Sequence, residues 1–320
     1  MKLFVQIPCL NEAETLPLVL KDIPHTIPGI DSIEVLVINN GSTDNTVTVA
    51  KANGVKHFVN HIGRRGLAQA FRDGIWYCLE HGADIIVNTD GDNQYPGSAI
   101  AALVQPILEG RAEMVIADRQ VHTIEHFSGW KKLMQRFGTW VLNRAARTNV
   151  PDAPSGFRAY SREAAIKLNV VTRFSYAMET LIQAGHKSIA IAAVPITVNP
   201  KTRESRLFNN SFEHIFKSGM AITRAFIMYR PLVPFLSLGF IFLGLGLIPF
   251  IHFLWLAITE KSRYVYGSHH LQSLIVGSVL LVASFISFTL GVVADLTRIN
   301  RSLAEDNLEL TKRHVLNSKR

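Results

Sequence analysis

Two carboxylates stand one residue apart in Thr89-Asp90-Gly91-Asp92-Asn93-Gln94, directly after the apolar run Ile85–Asn88. Acids this close repel unless a cation joins them. Mg²⁺ takes one or two carboxylates and fills its octahedron with water and phosphate oxygens. The turn is therefore a candidate seat for a hard divalent cation together with a phosphate-bearing ligand. Two other apolar runs end in similar polar turns, Pro8-Cys9-Leu10-Asn11-Glu12 and Asn39-Asn40-Gly41-Ser42-Thr43-Asp44.

Those turns need elements to bring them together. The first ~200 residues alternate strand-like and helix-like segments, the pattern of a mainly parallel sheet with both faces covered. Strands are expected at Leu3–Ile7, Glu34–Ile38, Ile85–Asn88, Met114–Ala117 and Ile189–Val194. Helices are expected at Glu14–Asp22, Thr46–Asn53, Leu67–Glu80, Ser98–Glu109 and Trp130–Arg147. Ligands of such sheets bind at the carboxyl ends of the strands, where the polar turns lie.

Other chemistries lack their parts. No GxGxxG follows the first strand, no GxxxxGK[ST] occurs, and Ser42 sits in no GxSxG elbow. The two cysteines, Cys9 and Cys78, have no metal-ligand spacing and read as reduced thiols, and the twelve histidines are scattered. The opening MKLFVQIPCLNE turns polar too soon for a secretory signal and reads as a first strand. A formal charge of +8 suits nucleic acid, anionic lipid or phosphate-bearing partners.

Charged residues are only 18% of the chain. Residues 232–258 and 271–294 contain no Asp, Glu, Lys or Arg. Each exceeds the ~20 residues that cross a bilayer core, so a two-helix transmembrane hairpin is expected within 231–296. Lys217, Arg224 and Arg230 precede it and Arg298 and Arg301 follow it, against Lys261 and Arg263 in the connecting loop. Both termini and the catalytic domain are therefore expected on the cytoplasmic side of a plasma (inner) membrane. Between the regions, 209–230 reads as an amphipathic interfacial helix, with Phe212, Phe216, Met220 and Phe226 on one stripe. Residues 297–320 read as a cytoplasmic tail.

IPCLNE, NNGSTDNT, Gly66-Leu67-Ala68, TDGDNQYP and SGFRAYS occur in that order across residues 1–208. The chain thereby resembles the family 2 glycosyltransferases of GT-A fold. With the hairpin, it resembles the polyprenyl-phosphate and dolichol-phosphate sugar transferases. The fold class so implied is α/β, a GT-A catalytic domain over 1–208 with a Rossmann-like, mainly parallel sheet, followed by the membrane hairpin. The resemblance implies an inverting transfer of a hexose from a nucleotide sugar to a polyprenyl phosphate, with Mg²⁺ or Mn²⁺ on Asp90 and Asp92. Diacylglycerol is the alternative acceptor. A processive synthase is disfavoured because the chain has no Arg-Trp pair. Nucleic acid is not an expected partner, and a homo-oligomer is compatible with the sequence.

The resemblance also assigns residues. Asp92, Asp152 and Arg119 would be catalytic. Pro8, Asn11 and Glu12 would line the nucleoside pocket, and Gln94 completes the Asp-x-Asp-x-Gln pattern. Asp152 and Ser155-Gly156-Phe157-Arg158 match a segment near the acceptor, and Arg206 lies in a Ser-Arg-Leu resembling a Ser-Lys-Leu motif. Asn39 and Asn40 stand where relatives carry Asp-Asp. An amide adds donors and removes charge there, so a base presenting both a donor and an acceptor is expected. Lys131 and Gln135 replace an Arg and a Ser common among relatives, and no glycine precedes Ser205-Arg206-Leu207.

Overall fold

A computed structural model of the chain describes residues 1–120, 129–171, 176–200, 230–259 and 268–318, with Met220, Thr223 and Ile227. Contacts divide it into two units, Met1–Ile222 with Asn307–Arg320, and Thr223–Asp306.

The first unit is built on a seven-stranded sheet in the order β3-β2-β1-β4-β6-β5-β7. β1 (Lys2–Cys9) is buried from Leu3 onward, as a central strand covered on both faces must be. It pairs in parallel with β2 (Ser32–Asn39) and β4 (Ile85–Asn88), and β2 pairs in parallel with the edge strand β3 (His57–Asn60). β6 (Arg158–Ser161) runs antiparallel to both β4 and β5 (Met114–Asp118), and β5 pairs in parallel with β7 (Ile191–Pro195).

Register settles what meets what. Cys9 pairs with Asn39, Gln6 with Asn88, Asn88 with Arg158, Arg158 with Ile116, and Asp118 with Pro195. The carboxyl ends of β1, β2, β4, β5 and β7 therefore share one edge. Reversed β6 brings its entry segment, residues 152–157, to the same place.

The helices α1 (Leu16–Asp22), α2 (Thr46–Ala52), α3 (Leu67–Glu80), α4 (Ile100–Leu108), α5 (Gly129–Ala146), α6 (Arg162–Lys167) and α7 (Tyr176–His186) connect and cover the strands. α6 starts on a side-chain cap, Ser161 Oγ accepting from the Ala164 N–H at 3.1 Å.

The second unit holds α8 (Leu232–Thr259) and most of α9 (Ser268–Ser318). Both helices are long and apolar enough to cross a membrane. Their large side chains point outward, with Phe240, Ile251 and Phe285 all more than 60% exposed. Small residues let the two backbones approach. A β-carbon on Gly246 would lie 3.1 Å from the Gly277 carbonyl, and Ser284 Oγ donates to the Gly239 carbonyl at 2.8 Å. That is how helices pack when no hydrophobic effect drives them together.

Where 297–320 reads as a tail in the sequence, α9 continues as helix to Ser318. Its end belongs to the first unit. Lys312 Nζ donates to the carbonyls of Ile166 (3.3 Å) and Leu168 (2.9 Å), which the end of α6 leaves without helical partners. Arg313 Nη2 donates to Glu163 Oε2 at 2.7 Å, and Leu316 is buried. The Arg313 hydrogen bond holds the Glu163 carboxyl below the ordinary glutamate value. Its contribution is thus complete above that value and is lost as pH falls through the depressed one. Below about pH 4, faster hydrogen exchange over 307–318 is expected. Glu163→Gln should show the same loosening at neutral pH. The pair is partly exposed, so the effect is small, under about 1 kcal/mol. The interfacial helix expected over 209–230 lies largely outside the described residues.

Candidate active site

The turns after β1 and β2 are laced together by their own side chains. Asn11, in left-handed conformation (φ 57°), accepts from the Thr43 N–H at 2.8 Å and donates its own N–H to Ser42 Oγ at 3.0 Å. Ser42 in turn donates its N–H to Asn39 Oδ1 at 2.8 Å, an Asx-type turn. The Glu12 N–H goes to Thr46 Oγ1 at 2.9 Å. Asp44 also bridges the two turns. Burial alone would raise its carboxyl, but hydrogen bonds from Thr46 and Ala13 bring it below the ordinary aspartate value.

The amides of Asn39 and Asn40 are bonded to neighbouring residues of the protein. Asn39 Nδ2 reaches Asn60 Oδ1 at 3.3 Å, and its carbonyl holds the Ser42 turn. Asn40 is buried, and its carbonyl faces the Arg65 N–H (2.9 Å) and His61 Nδ1 (3.2 Å). His61 Nε2 lies 3.1 Å from Asp73 Oδ2. The acceptors of both amides thus serve the protein. At both positions the amide carbonyl already accepts a backbone N–H of the protein, which draws on the acceptor half of the edge expected from the residue types.

The acidic turn joins this frame through Thr15, whose Oγ1 donates to the Gly91 carbonyl at 2.6 Å and lies 3.0 Å from Glu12 Oε2. Gly91 separates the aspartates because a β-carbon there would sit 3.1 Å from Glu12 Cγ and 3.3 Å from Cys9 Sγ. Asp92 Oδ1 accepts from the Gln94 N–H at 3.1 Å.

Asn199, just beyond β7, clamps the far side. It donates its N–H to the Gln94 carbonyl (2.9 Å) and its Nδ2 to the Asn93 carbonyl (3.0 Å), where Asn93 is left-handed at φ 60°. Sequence reasoning did not single it out, since an asparagine before Pro200 reads as an ordinary turn residue. If Asp90 and Asp92 hold a divalent cation, losing the side-chain bond in Asn199→Ala should raise the metal concentration for half-maximal activity by about 2- to 10-fold, with kcat at saturating metal kept. A Mn²⁺ titration of initial rates checks this.

On the other side stands a fixed cation. Arg119, following β5, makes a bidentate pair with Asp152, Nε to Oδ2 at 2.7 Å and Nη2 to Oδ1 at 2.9 Å. The Arg119 N–H also reaches Oδ2, at 3.2 Å. Asp152 is buried and Arg119 keeps about a fifth of its side chain exposed (21%). Burial opposes its charge, but Tyr95, Asp152 and Asp90 raise the guanidinium pKa above its ordinary value. Arg119 is a permanent cation, held by both oxygens of Asp152.

Asp90 lies beside the segment that leads into β6. A β-carbon on Gly156 would sit 3.7 Å from Asp90 Oδ2 and only 2.6 Å from Tyr176 Oη, so that position requires glycine. A buried polar chain supports the floor. Gln6 Nε2 donates to Asn88 Oδ1 (2.9 Å), Asn88 Nδ2 to Tyr176 Oη (2.8 Å), and Tyr176 Oη to the Gly156 carbonyl (3.1 Å). Tyr176 stacks on Phe71 at 4.2 Å. Burial and then Asp90 push the Tyr176 hydroxyl well above its ordinary value, which keeps it a donor.

Arg158, expected among the ligand-binding residues, is wholly buried. Its guanidinium donates to the carbonyls of Ser155 (2.7 Å), Ala177 (2.8 Å) and Ala153 (2.6 Å) and to Thr180 Oγ1 (2.9 Å). These bonds fasten the 152–157 segment to α7. Pro8 is buried within β1 opposite Ile38. Gln94 is half-buried beside the acidic turn, with its side chain unpartnered among the described residues. Arg206 and the Ser205-Arg206-Leu207 segment lie outside the described residues, as do the side chains of Lys131, Lys132 and Gln135.

The edge therefore gathers Asp90, Asp92, the Asn39-Asn40 turn, and Arg119 on Asp152. Among the described residues no cluster of three His, Cys, Asp or Glu exists. Two carboxylates alone suit a cation that draws its other ligands from water and phosphate.

Comparison with known proteins agrees with this architecture. The chain is 30% identical to a dolichol-phosphate mannosyltransferase of Pyrococcus furiosus, over 67% of this chain and 62% of that one. It is 26% identical to a polyprenol monophosphomannose synthase of Mycolicibacterium smegmatis, over 60% and 76%. Its fold resembles the crystal structure of a glucosyl-3-phosphoglycerate synthase from Mycobacterium tuberculosis, with TM-score 0.53, 23% identity, and 71% and 78% of the two chains covered. The model of glycosyl transferase family 2 matches residues 4–168, about half the chain and the whole of the edge from β1 through β6. The protein is a glycosyltransferase and belongs to glycosyl transferase family 2.

Proposed function

We propose that the protein transfers a hexose from a nucleotide sugar to the phosphate of a polyprenyl lipid at the cytoplasmic face of the membrane. The observation that carries this reading is the pairing, at one sheet edge, of the Asp90-Gly91-Asp92 turn with Arg119 fixed on Asp152. One part suits a bridged diphosphate and the other a second anion. The relatives named for polyprenol and dolichol-phosphate substrates support the acceptor class, and the apolar helices support a membrane setting. The structural neighbour was crystallised with Mn²⁺ and UDP, the ligand class proposed here.

Asp90 and Asp92 would hold Mg²⁺ or Mn²⁺, and two acids on either side of one glycine fit an ion that takes its other ligands from water and phosphate. When bound, the ion neutralises the diphosphate leaving group. The protein's own residues do the rest. The laced turns at Asn11, Glu12 and Asn39-Asn40 shape the nucleoside pocket. Arg119, oriented by both oxygens of Asp152, presents a constant positive charge to the lipid phosphate. A phosphate monoester has its second pKa near 6, so at neutral pH the nucleophilic oxygen is already deprotonated. No general base is required, which agrees with Asp152 being engaged by Arg119. Attack in one step inverts the anomeric centre, and positive charge builds on the sugar, by analogy with glycoside chemistry.

A diacylglycerol hydroxyl would need a base, and the Asp152 carboxylate is taken. Proteoliposomes with radiolabelled UDP-, GDP-, CDP- and dTDP-sugars, Mn²⁺ and a polyprenyl phosphate test the reading. The expected product is a lipid whose label mild acid releases as free sugar. Label found only in an acid-stable glycolipid would overturn the polyprenyl-phosphate acceptor.

A further inference from the structure

α5 carries two faces of opposite character. Thr139, Leu142, Ala145 and Ala146 are buried against the first unit. Arg136, Phe137, Trp140, Arg144 and, just past the helix, Arg147 are exposed. Arg136, Phe137, Trp140 and Arg144 fall close to the helical period and so form one stripe, with Arg147 in the turn that follows. Phe137 is 57% exposed and Trp140 62%, with ring centroids 6.0 Å apart, so the two rings form one apolar patch. Among the described residues none of the three arginines has an ion-pair partner. The helix holds four basic residues and no acidic one.

An isolated exposed hydrophobe needs no explanation. Two adjoining aromatic rings bordered by unpaired arginines are a different case. Aromatic rings concentrate at the level of lipid headgroups, and arginine stems lie along apolar surface while their charges stay with polar groups. A cationic-aromatic stripe without acids complements an anionic lipid surface.

We infer that this face of α5 is a membrane-docking surface, seating Phe137 and Trp140 in the headgroup layer of an anionic bilayer with Arg136, Arg144 and Arg147 among its phosphates. The inference goes beyond the transfer reaction and uses only the part of that reading that puts α8 and α9 in a bilayer. The contact holds the catalytic unit to the membrane independently of the segment 209–230.

Single-cysteine variants of the full chain test it. Phe137→Cys, Trp140→Cys, Leu18→Cys and Ile251→Cys would each be spin-labelled, Cys9 and Cys78 being buried. The proteins would be reconstituted in phosphatidylcholine vesicles containing phosphatidylglycerol. Leu18 is exposed on α1, and Ile251 is exposed on α8. Labels at 137, 140 and 251 are expected to be severalfold more accessible to oxygen than to a water-soluble nickel chelate, relative to the label at 18. If 251 is immersed while 137 and 140 match 18, the docking surface is overturned and the membrane reading of α8 stands. If 251 is aqueous as well, both fall. Spin–spin broadening at 140 would assign the face to a second copy of the chain and would also overturn the inference.

Discussion

Asp92→Ala should lose at least about 1,000-fold in transfer rate, ~4 kcal/mol of transition-state stabilisation, while the protein remains folded and membrane-inserted. Asp92 is half-buried on a turn, and its one intramolecular hydrogen bond with a known distance is the local one from the Gln94 N–H. Removing the side chain breaks the pair that would share the cation with Asp90. Rates with a labelled donor, alongside circular dichroism and vesicle flotation, make the measurement. Full activity of the variant in the presence of EDTA would remove the metal role altogether. Asp92→Asn separates charge from shape. It keeps the side chain's size and one carbonyl, so a loss as large as that of Asp92→Ala would mean that charge is the main contribution, and activity regained at higher metal concentration that the retained oxygen carries part of it.

The second large effect is on stability. Arg158→Ala removes four hydrogen bonds and leaves the Ser155, Ala153 and Ala177 carbonyls to find new partners in a wholly buried place. A loss of about 3–5 kcal/mol is expected, lowering the melting temperature on the order of 10 °C. Arg158→Lys should fall between, because an ammonium cannot reproduce the planar fork that reaches all four acceptors. The remaining folded fraction should keep its KM for the nucleotide sugar. This separates a wall-fastening residue from a ligand-binding one. An unchanged melting curve with a KM raised tenfold would restore Arg158 to the ligand side.

The contrast between Asp92 and Arg158 shows what residue type and spacing could tell. The acidic turn was readable because two acids around a glycine, after a strand, have few other uses, and the strand-end rule places such turns together. β1, β2, β4 and β5 announce themselves as continuous apolar runs. β6 does not, since it begins with an arginine and is only four residues long. Its charge is neutralised by carbonyls supplied from distant segments, which no local pattern encodes. β3 is a four-residue edge strand that is nowhere fully buried and ends in the exposed Asn60, so it too lacks an apolar signature.

Within the site, Arg119 and Asp152 were named, but their mutual embrace depends on β6 running backwards beside β5. Asn199, Thr15 and the Gln6–Asn88–Tyr176 chain act through backbone carbonyls and buried amides. Their residue types are common in turns and cores, so only the assembled sheet reveals them. The asparagine pair was conspicuous, yet the direction its amides face was not in the residue types.

The end of α9 carries a consequence for biogenesis. Residues 307–318 complete the catalytic unit, yet they leave the ribosome after both apolar helices have been synthesised. Domains usually fold as units while the chain is being made. Here the last piece of the unit arrives only after the two long apolar helices have emerged. A chain terminated at residue 208 would lack Lys312 over the Ile166 and Leu168 carbonyls and would leave bare the surface that covers Leu316. Expression of that fragment alone should give a less stable, more aggregation-prone domain, and adding the peptide 307–318 in trans should partly restore it.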